Sequence, residues 1–177
     1  MFNTLINTRT NNLAKATAEK LIASRRQNLM TQFACEEKEA YRLEKVMTFQ
    51  GVDYINDSKA TTVNATYFSL NSIKSDIIWL VGGINRAANF HELLPLVREK
   101  VKAIVCIGDC NEEVISVFGA VVAITIETAT MQEAVQLAKK LSKKKDTVLL
   151  SPASSAFDLY KDYQERGNEF IKAVRAI

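Results

Sequence analysis

The sequence predicts an α/β fold: a mostly parallel, Rossmann-like sheet with helices on both faces, opened by a β-hairpin and preceded by an N-terminal helical segment. Three observations lead there. Four apolar runs, Ile77-Ile-Trp-Leu-Val81, Ala103-Ile-Val-Cys-Ile107, Val121-Val-Ala-Ile124 and Val148-Leu-Leu150, are too short for independent helices and rich in β-branched residues. Helical patterns alternate with them, as in a parallel sheet covered on both sides. Ahead of them, Glu44–Phe49 and Val52–Asn56 flank Gln50-Gly51, the signature of two strands folding back at a tight turn.

From Asn11 to Phe33 the chain lacks Gly and Pro and spaces Leu13, Leu21, Ile22, Leu29, Met30 and Phe33 at near-helical intervals, which predicts an amphipathic helix. Glu36-Glu-Lys-Glu39 reads as a solvated connection, so the main domain is expected to begin at Arg42. Residues 1–41 are then a helical appendage or the remnant of a neighbouring domain, and 42–177 the principal domain. Within it, helices are expected around 62–74, 90–100, 111–118, 129–144 and 157–175.

Composition fits one compact domain: 177 residues, 47% hydrophobic and 24% charged. A balance of 23 Lys and Arg against 20 Asp and Glu is too even to point to nucleic acid or an anionic membrane as partner. The basic run from Lys139 to Lys145 closes a helical pattern, where cations offset the carbonyl end of the helix dipole. No apolar stretch reaches the ~20 residues that span a bilayer, and the amino terminus lacks the layout of a secretory signal, so a cytoplasmic location is expected. Cys35, Cys106 and Cys110 have neither CxxC spacing nor histidine partners, which argues for reduced thiols and no metal site. The single histidine, His91, is read as structural or solvent-facing.

Ligands of such sheets collect beyond the carboxyl ends of the strands. Three loops there carry polar chemistry: Asn56-Asp-Ser-Lys-Ala-Thr-Thr62, Gly82-Gly-Ile-Asn-Arg-Ala-Ala-Asn89 and Ser151-Pro-Ala-Ser-Ser155. Asp57 could coordinate magnesium or accept from sugar hydroxyls, and Lys59 could neutralise a phosphate or carboxylate. A helix cap by Asp57, Ser58 or Thr61 would explain part of the first loop, but not Lys59. Gly82-Gly83 allows close backbone approach, and Arg86 offers a planar fork for a carboxylate. Ser151, Ser154 and Ser155 are expected to present hydroxyls and amides, with Arg166-Gly167 further along.

The order and wording of these stretches resemble the Mur ligase family, and within it the D-glutamate-adding enzymes. The resemblance is carried by Tyr41-Arg42-Leu-Glu-Lys-Val46, Gly51-Val-Asp-Tyr-Ile-Asn-Asp57-Ser-Lys59-Ala-Thr61, Gly82-Gly83 with Asn89-Phe90, Leu149-Leu-Ser151-Pro152-Ala153 and Phe157-Asp-Leu-Tyr-Lys161-Asp-Tyr163-Gln-Glu-Arg166-Gly167-Asn-Glu-Phe170. It covers about 42–177. It implies an ATP-dependent ligase of peptidoglycan synthesis, in which a substrate carboxylate becomes an acyl phosphate and an incoming amine attacks it. This domain would deliver the amine.

By the same resemblance Arg42 and Asp57 face the nucleotide, while Lys59 and Thr61 stand at the junction of nucleotide and amino acid, Lys59 in the catalytic role. Arg86, with Ala156, Phe157 and Tyr163, would hold D-glutamate; the other substrate would be UDP-N-acetylmuramoyl-L-alanine, with ATP and Mg2+ as cofactors. The chain departs from the family pattern at four positions: Tyr41 for His, Arg86 for Lys, Ala156 for Ser and Thr62 for Asn. No G-x-x-x-x-G-K-[ST] segment occurs, so the phosphate cradle must come from a central domain and the UDP-sugar site from an N-terminal one. Alone, the chain is expected to be inactive. A second reading, a diverged non-catalytic ligand-binding module of the same fold, stays open; an unrelated Rossmann-like cofactor protein is disfavoured by the lack of a G-x-G-x-x-G turn.

Overall fold

The computed structural model describes residues 39–83, 89–108 and 111–177, together with Lys20, Ser24, Gln27, Asn28 and Thr31. The chain divides into two compact units, Met1–Glu37 and Lys38–Ile177. In the first, the five described residues are helical and exposed, and the Thr31 hydroxyl donates to the Gln27 carbonyl at 3.0 Å. The remainder of the expected N-terminal helix lies outside the described residues.

The second unit opens with strands β1 (Glu44–Phe49) and β2 (Val52–Asn56), antiparallel, with Phe49 opposite Val52. Gln50 and Gly51 both take positive φ, 51° and 78°, the pairing that a two-residue turn needs to match the twist of its strands. Helix α1 (Val63–Ser72) leads to β3 (Ile77–Val81). A 3-10 turn (Phe90–Leu93), α2 (Leu94–Lys100), β4 (Val101–Ile107), α3 (Asn111–Phe118) and β5 (Ile124–Thr128) follow. Helix α4 (Met131–Leu141), β6 (Thr147–Leu150) and α5 (Tyr163–Arg175) complete the unit.

The strands form one sheet in the order β1-β2-β6-β3-β4-β5. Only the hairpin is antiparallel; β2, β6, β3, β4 and β5 run parallel. The expected α/β architecture is therefore the one found. Alternation along β3 divides the core: Ile77, Trp79 and Val81 join α1, α2 and α3 on one face, while Ile78 and Leu80 join α4 and α5 on the other. All five are at most 1% exposed, which is why the run reads as continuously apolar.

This layering positions the site. Strand β6 lies between β2 and β3, yet its helix α5 packs on the opposite face from α1 and α2. The chain thus leaves neighbouring strands toward opposite faces, and a crevice opens at their carboxyl ends. Polar ends of the elements are satisfied locally. The Lys100 ammonium donates to the Leu70, Asn71 and Ile73 carbonyls at 3.2, 3.0 and 2.8 Å, closing the carboxyl end of α1. Thr130 caps α4 by accepting from the Glu133 amide at 3.2 Å, and Glu133 accepts from the Ala129 amide in return. Lys139 and Lys140 stand in the last turn of α4, as the basic run implied.

Two boundaries differ furthest from expectation. The strand expected at Val121–Ile124 is Ile124–Thr128, because the Val121 and Val122 amides both donate to the Phe118 carbonyl at 2.9 Å and wind the chain off α3. Their side chains pack into the core instead of a strand. The last helix begins at Tyr163, not 157: the Asp162 carboxylate accepts from the Glu165 amide at 2.8 Å, and Glu165 accepts from the Lys161 amide at 2.6 Å. Cys106 is a buried free thiol and His91 is exposed, while Cys35 and Cys110 lie outside the described residues. Among the described residues no helix is long and apolar enough to cross a membrane.

Where β3 ends, Gly82 has φ +149° and passes so close to β4 that a Cβ atom would lie 1.7 Å from the Ile107 carbonyl oxygen. Backbone cannot yield as a flexible side chain does. Gly82→Ala is expected to destabilise the fold by about 3 kcal/mol, measured as a lower urea midpoint with an unchanged slope.

Candidate functional site

Asp57, the first residue after β2, starts the first loop with its amide donating to the Leu150 carbonyl of β6 at 2.8 Å. Its carboxylate is fully buried. Oδ2 accepts from the hydroxyls of Ser69 at 2.5 Å and Ser151 at 2.9 Å; Oδ1 accepts from the Leu43 amide at 3.2 Å and lies 3.9 Å from Arg42 Nη1. Ser151 in turn accepts through its carbonyl from Trp79 Nε1 at 2.8 Å. Burial pushes the Asp57 carboxyl up to about 6, against the opposing pull of Ser69, Ser151, Arg42 and the Leu43 amide. In this conformation Asp57 braces the loop and Arg42 from beneath and presents no carboxylate to the crevice.

The other side chains of the loop have separate tasks. Thr62 caps α1 by accepting from the Ala65 amide at 3.2 Å, so neither Asp57, Ser58 nor Thr61 is consumed as the cap. Lys59 keeps a partly exposed ammonium that pairs with Glu39, and its amide donates to the Tyr41 carbonyl at 3.1 Å. Thr61, half-buried, follows, its amide donating to the Lys59 carbonyl at 2.9 Å. Arg42, Asp57, Lys59 and Thr61 therefore form one constellation.

The third loop behaves differently from expectation. Ser151 and Ser154 are fully buried and do not offer hydroxyls outward; Ser154 Oγ donates to the Gly82 carbonyl at 2.5 Å. Both serines fasten loops: Ser151 through the buried Asp57 carboxylate, Ser154 through carbonyls left at the strand ends that need donors. Ala156 is 2% exposed, whereas Phe157 is 72% exposed on the turn before α5. Tyr163 packs edge-on against Tyr41 with ring centroids 6.0 Å apart, joining that side of the site to the first loop. Arg86 lies outside the described residues.

Arg166 is the side chain whose weight the sequence pattern understates. Only 3% exposed, its guanidinium donates to Ser58 Oγ at 3.0 Å and to the carbonyls of Ser58 at 2.9 Å, Ser154 at 3.1 Å and Gly82 at 3.5 Å. One cation thus collects acceptors from all three loops, which suits the planar fork of arginine. A signal existed: Arg166, Phe170, Ala173 and Val174 share the buried stripe of α5, and a charge on such a stripe requires a partner set. Backbone geometry concentrates here as well. Tyr41, Leu43 and Ala153 take positive φ of 64°, 44° and 60°, costly for non-glycine residues unless their surroundings hold them.

Two outcomes are expected. Arg166→Met takes the guanidinium donors from the Ser58 and Ser154 carbonyls and leaves Gly82 only the Ser154 hydroxyl, which should cost about 3 kcal/mol in urea unfolding, with Arg166→Lys recovering part. For Asp57, a folded value near 6 lies above the ordinary carboxyl value of about 4. The folded state then binds the proton more tightly, so its stabilising contribution is complete below pH 4 and fades as pH rises through 6. Stability should fall by about 3 kcal/mol across that window, and urea titrations at pH 4, 5, 6 and 7 should show the slope flattened in Asp57→Asn.

A family model described as "Mur ligase, glutamate ligase domain" matches residues 41–154. The UDP-N-acetylmuramoylalanine--D-glutamate ligase of Christiangramia forsetii is 47% identical over 165 residues, covering 93% of this chain and 37% of the relative. That of Bacteroides thetaiotaomicron is 39% identical over 170 residues, covering 94% of this chain and 38% of the relative. The chain spans a little over a third of the length of these curated relatives. Among solved structures, MurF ligase from Thermotoga maritima in complex with ADP superimposes with a TM-score of 0.50 at 12% identity, covering 81% of this chain and 32% of that one, a likeness of fold alone. With well over half its length matched by that model and these loops gathered at one sheet edge, the chain belongs to the Mur ligase family, through its glutamate ligase domain.

Proposed function

We propose that residues 42–177 are the amino-acid-binding domain of an ATP-dependent ligase that joins D-glutamate to UDP-N-acetylmuramoyl-L-alanine. The observation that carries this reading is the grouping of Arg42, Lys59 and Thr61 around the inward-turned Asp57, with Lys59 keeping a partly exposed ammonium on a loop braced from below. Relatives at 47% and 39% identity bearing that activity in their names support the choice of substrate.

In this reading ATP supplies the phosphoryl group that activates the carboxylate of UDP-N-acetylmuramoyl-L-alanine. Lys59 stands where the anionic groups of nucleotide and amino acid meet, and a compact ammonium there offsets the charge that accumulates as the amine attacks. Thr61 donates beside it. Arg42, with its side chain 10% exposed, faces the nucleotide from an anchorage on Asp57. Asp57 acts through that anchorage, since its oxygens are already taken by Ser69, Ser151 and Leu43. Arg86, Phe157 and Tyr163 hold D-glutamate, with Ala156 shaping the turn from within. A dicarboxylic amino acid suits two cations, and a neutral one would leave them unpaired. Among the described residues no cluster of His, Cys, Asp or Glu could hold a metal, so Mg2+ is assigned to the phosphates and to the central domain. That central domain and an N-terminal UDP-sugar domain are the partners this reading requires, with the assembly in the cytoplasm.

The 177-residue chain alone is expected to form no dipeptide product from UDP-N-acetylmuramoyl-L-alanine, D-glutamate and ATP. A chimera carrying residues 42–177 in place of the matching third of the Christiangramia forsetii ligase should ligate, and Lys59→Ala in it should lower kcat/KM at least about a hundredfold. A folded chimera that binds D-glutamate without ligating would favour the non-catalytic module. A Lys59→Ala chimera as active as its parent would sink the assignment of Lys59.

A further inference from the structure

We infer that Glu39 is an internal counter-ion that occupies the Lys59 ammonium until an anionic ligand displaces it. The inference rests on the reading of Lys59 as an anion contact and adds a carboxylate from the same chain to it. The Glu39 carboxylate pairs directly with Lys59 Nζ. Both side chains reach solvent, 46% and 27% exposed, so the pair lies within reach of an incoming ligand.

Glu39 is delivered there by a shaped strap. The Arg42 amide donates to the Glu39 carbonyl at 3.2 Å, and the Lys59 amide donates to the Tyr41 carbonyl at 3.1 Å, so the two backbones are joined beneath the ion pair. The Leu43 amide reaches Asp57 Oδ1 at 3.2 Å, and Tyr41 fixes the strap to α5 through its hydroxyl, which donates to Asn168 Oδ1 at 2.9 Å. Left-handed backbone at Tyr41 and Leu43 gives the strap its two bends. Beside the pair lies an open hollow lined by Glu39, Ala40, Arg42, Leu43, Glu44 and Lys45.

The chemistry follows from charge. An ammonium that awaits a phosphate or carboxylate attracts any carboxylate within reach, and one supplied by the same chain is always at high effective concentration. An exposed pair of this kind is weak enough to exchange, so Glu39 holds Lys59 in position and yields to a ligand that offers more charge or more hydrogen bonds. Glu39 thereby sets a threshold for anion binding at Lys59.

Limited acetylation of the full 177-residue chain with acetic anhydride, read by peptide mass spectrometry, tests this. Lys172, whose side chain is 77% exposed, serves as the internal reference. Glu39→Gln should raise acetylation of Lys59 relative to Lys172 about two- to fivefold, and inorganic pyrophosphate should protect Lys59 at a correspondingly lower concentration in the variant. Glu39→Ala should shift both readouts in the same direction, and an unchanged melting temperature checks that each variant is folded. An unchanged ratio, or protection needing as much or more pyrophosphate than in the parent, overturns the inference. If pyrophosphate still protects Lys59 in the parent, only the role of Glu39 falls. If it protects Lys59 in neither form, the reading of Lys59 as an anion contact falls too, and this inference with it.

Discussion

The site depends on one buried guanidinium. Arg166 gathers acceptors from the loops that follow β2, β3 and β6, which lie far apart in sequence and meet only because the sheet order places β6 between the other two. Burying a cation is expensive unless its donors are met, and here backbone carbonyls meet them. The cost of that arrangement is spread over many hydrogen bonds that also define loop shape. Rigid loop bases then leave the outward side chains, Lys59 among them, partly exposed.

Asp57 shows the complementary solution. A carboxylate at the end of a central strand would be a natural ligand contact, but this one is turned inward and satisfied by two hydroxyls and an amide. Its raised proton affinity measures how incompletely those donors replace water. The benefit is geometric: α1, the loop after β6 and the entry strap all converge on the same two oxygens, so Arg42 and Lys59 start from a fixed platform.

Much of this was legible in the sequence. Short β-branched runs separated by helical patterns point to a covered, mostly parallel sheet, because strands buried on both faces read as continuously apolar. The hairpin was legible from Gln50-Gly51, and the polar loops from their residue types. What sequence could not supply was direction. Ser151, Ser154 and Asp57 have the composition of ligand contacts but point inward, and only the pairing of β6 with β2 and β3 creates the interior they point into. The strand at Ile124–Thr128 escaped because the stronger apolar run just before it, Val121-Val122, serves as a plug under α3. Glu39 was hidden in a run of charges whose ordinary fate is solvent.

The place of β6 in the sheet also governs when the site can exist. Asp57 and Ser151 are 94 residues apart, and Ser58 and Arg166 are 108 apart, so a growing chain exposes the first loop long before its fasteners are made. Until β6 slots between β2 and β3, the edges of those two strands stand open and the Asp57 carboxylate remains hydrated. Such non-local closure slows folding and prolongs exposure of strand edges. The crevice is therefore the last part of this domain to mature during synthesis, and a ribosome that stalls before Leu150 would release a half-sheet with adhesive edges and no site at all.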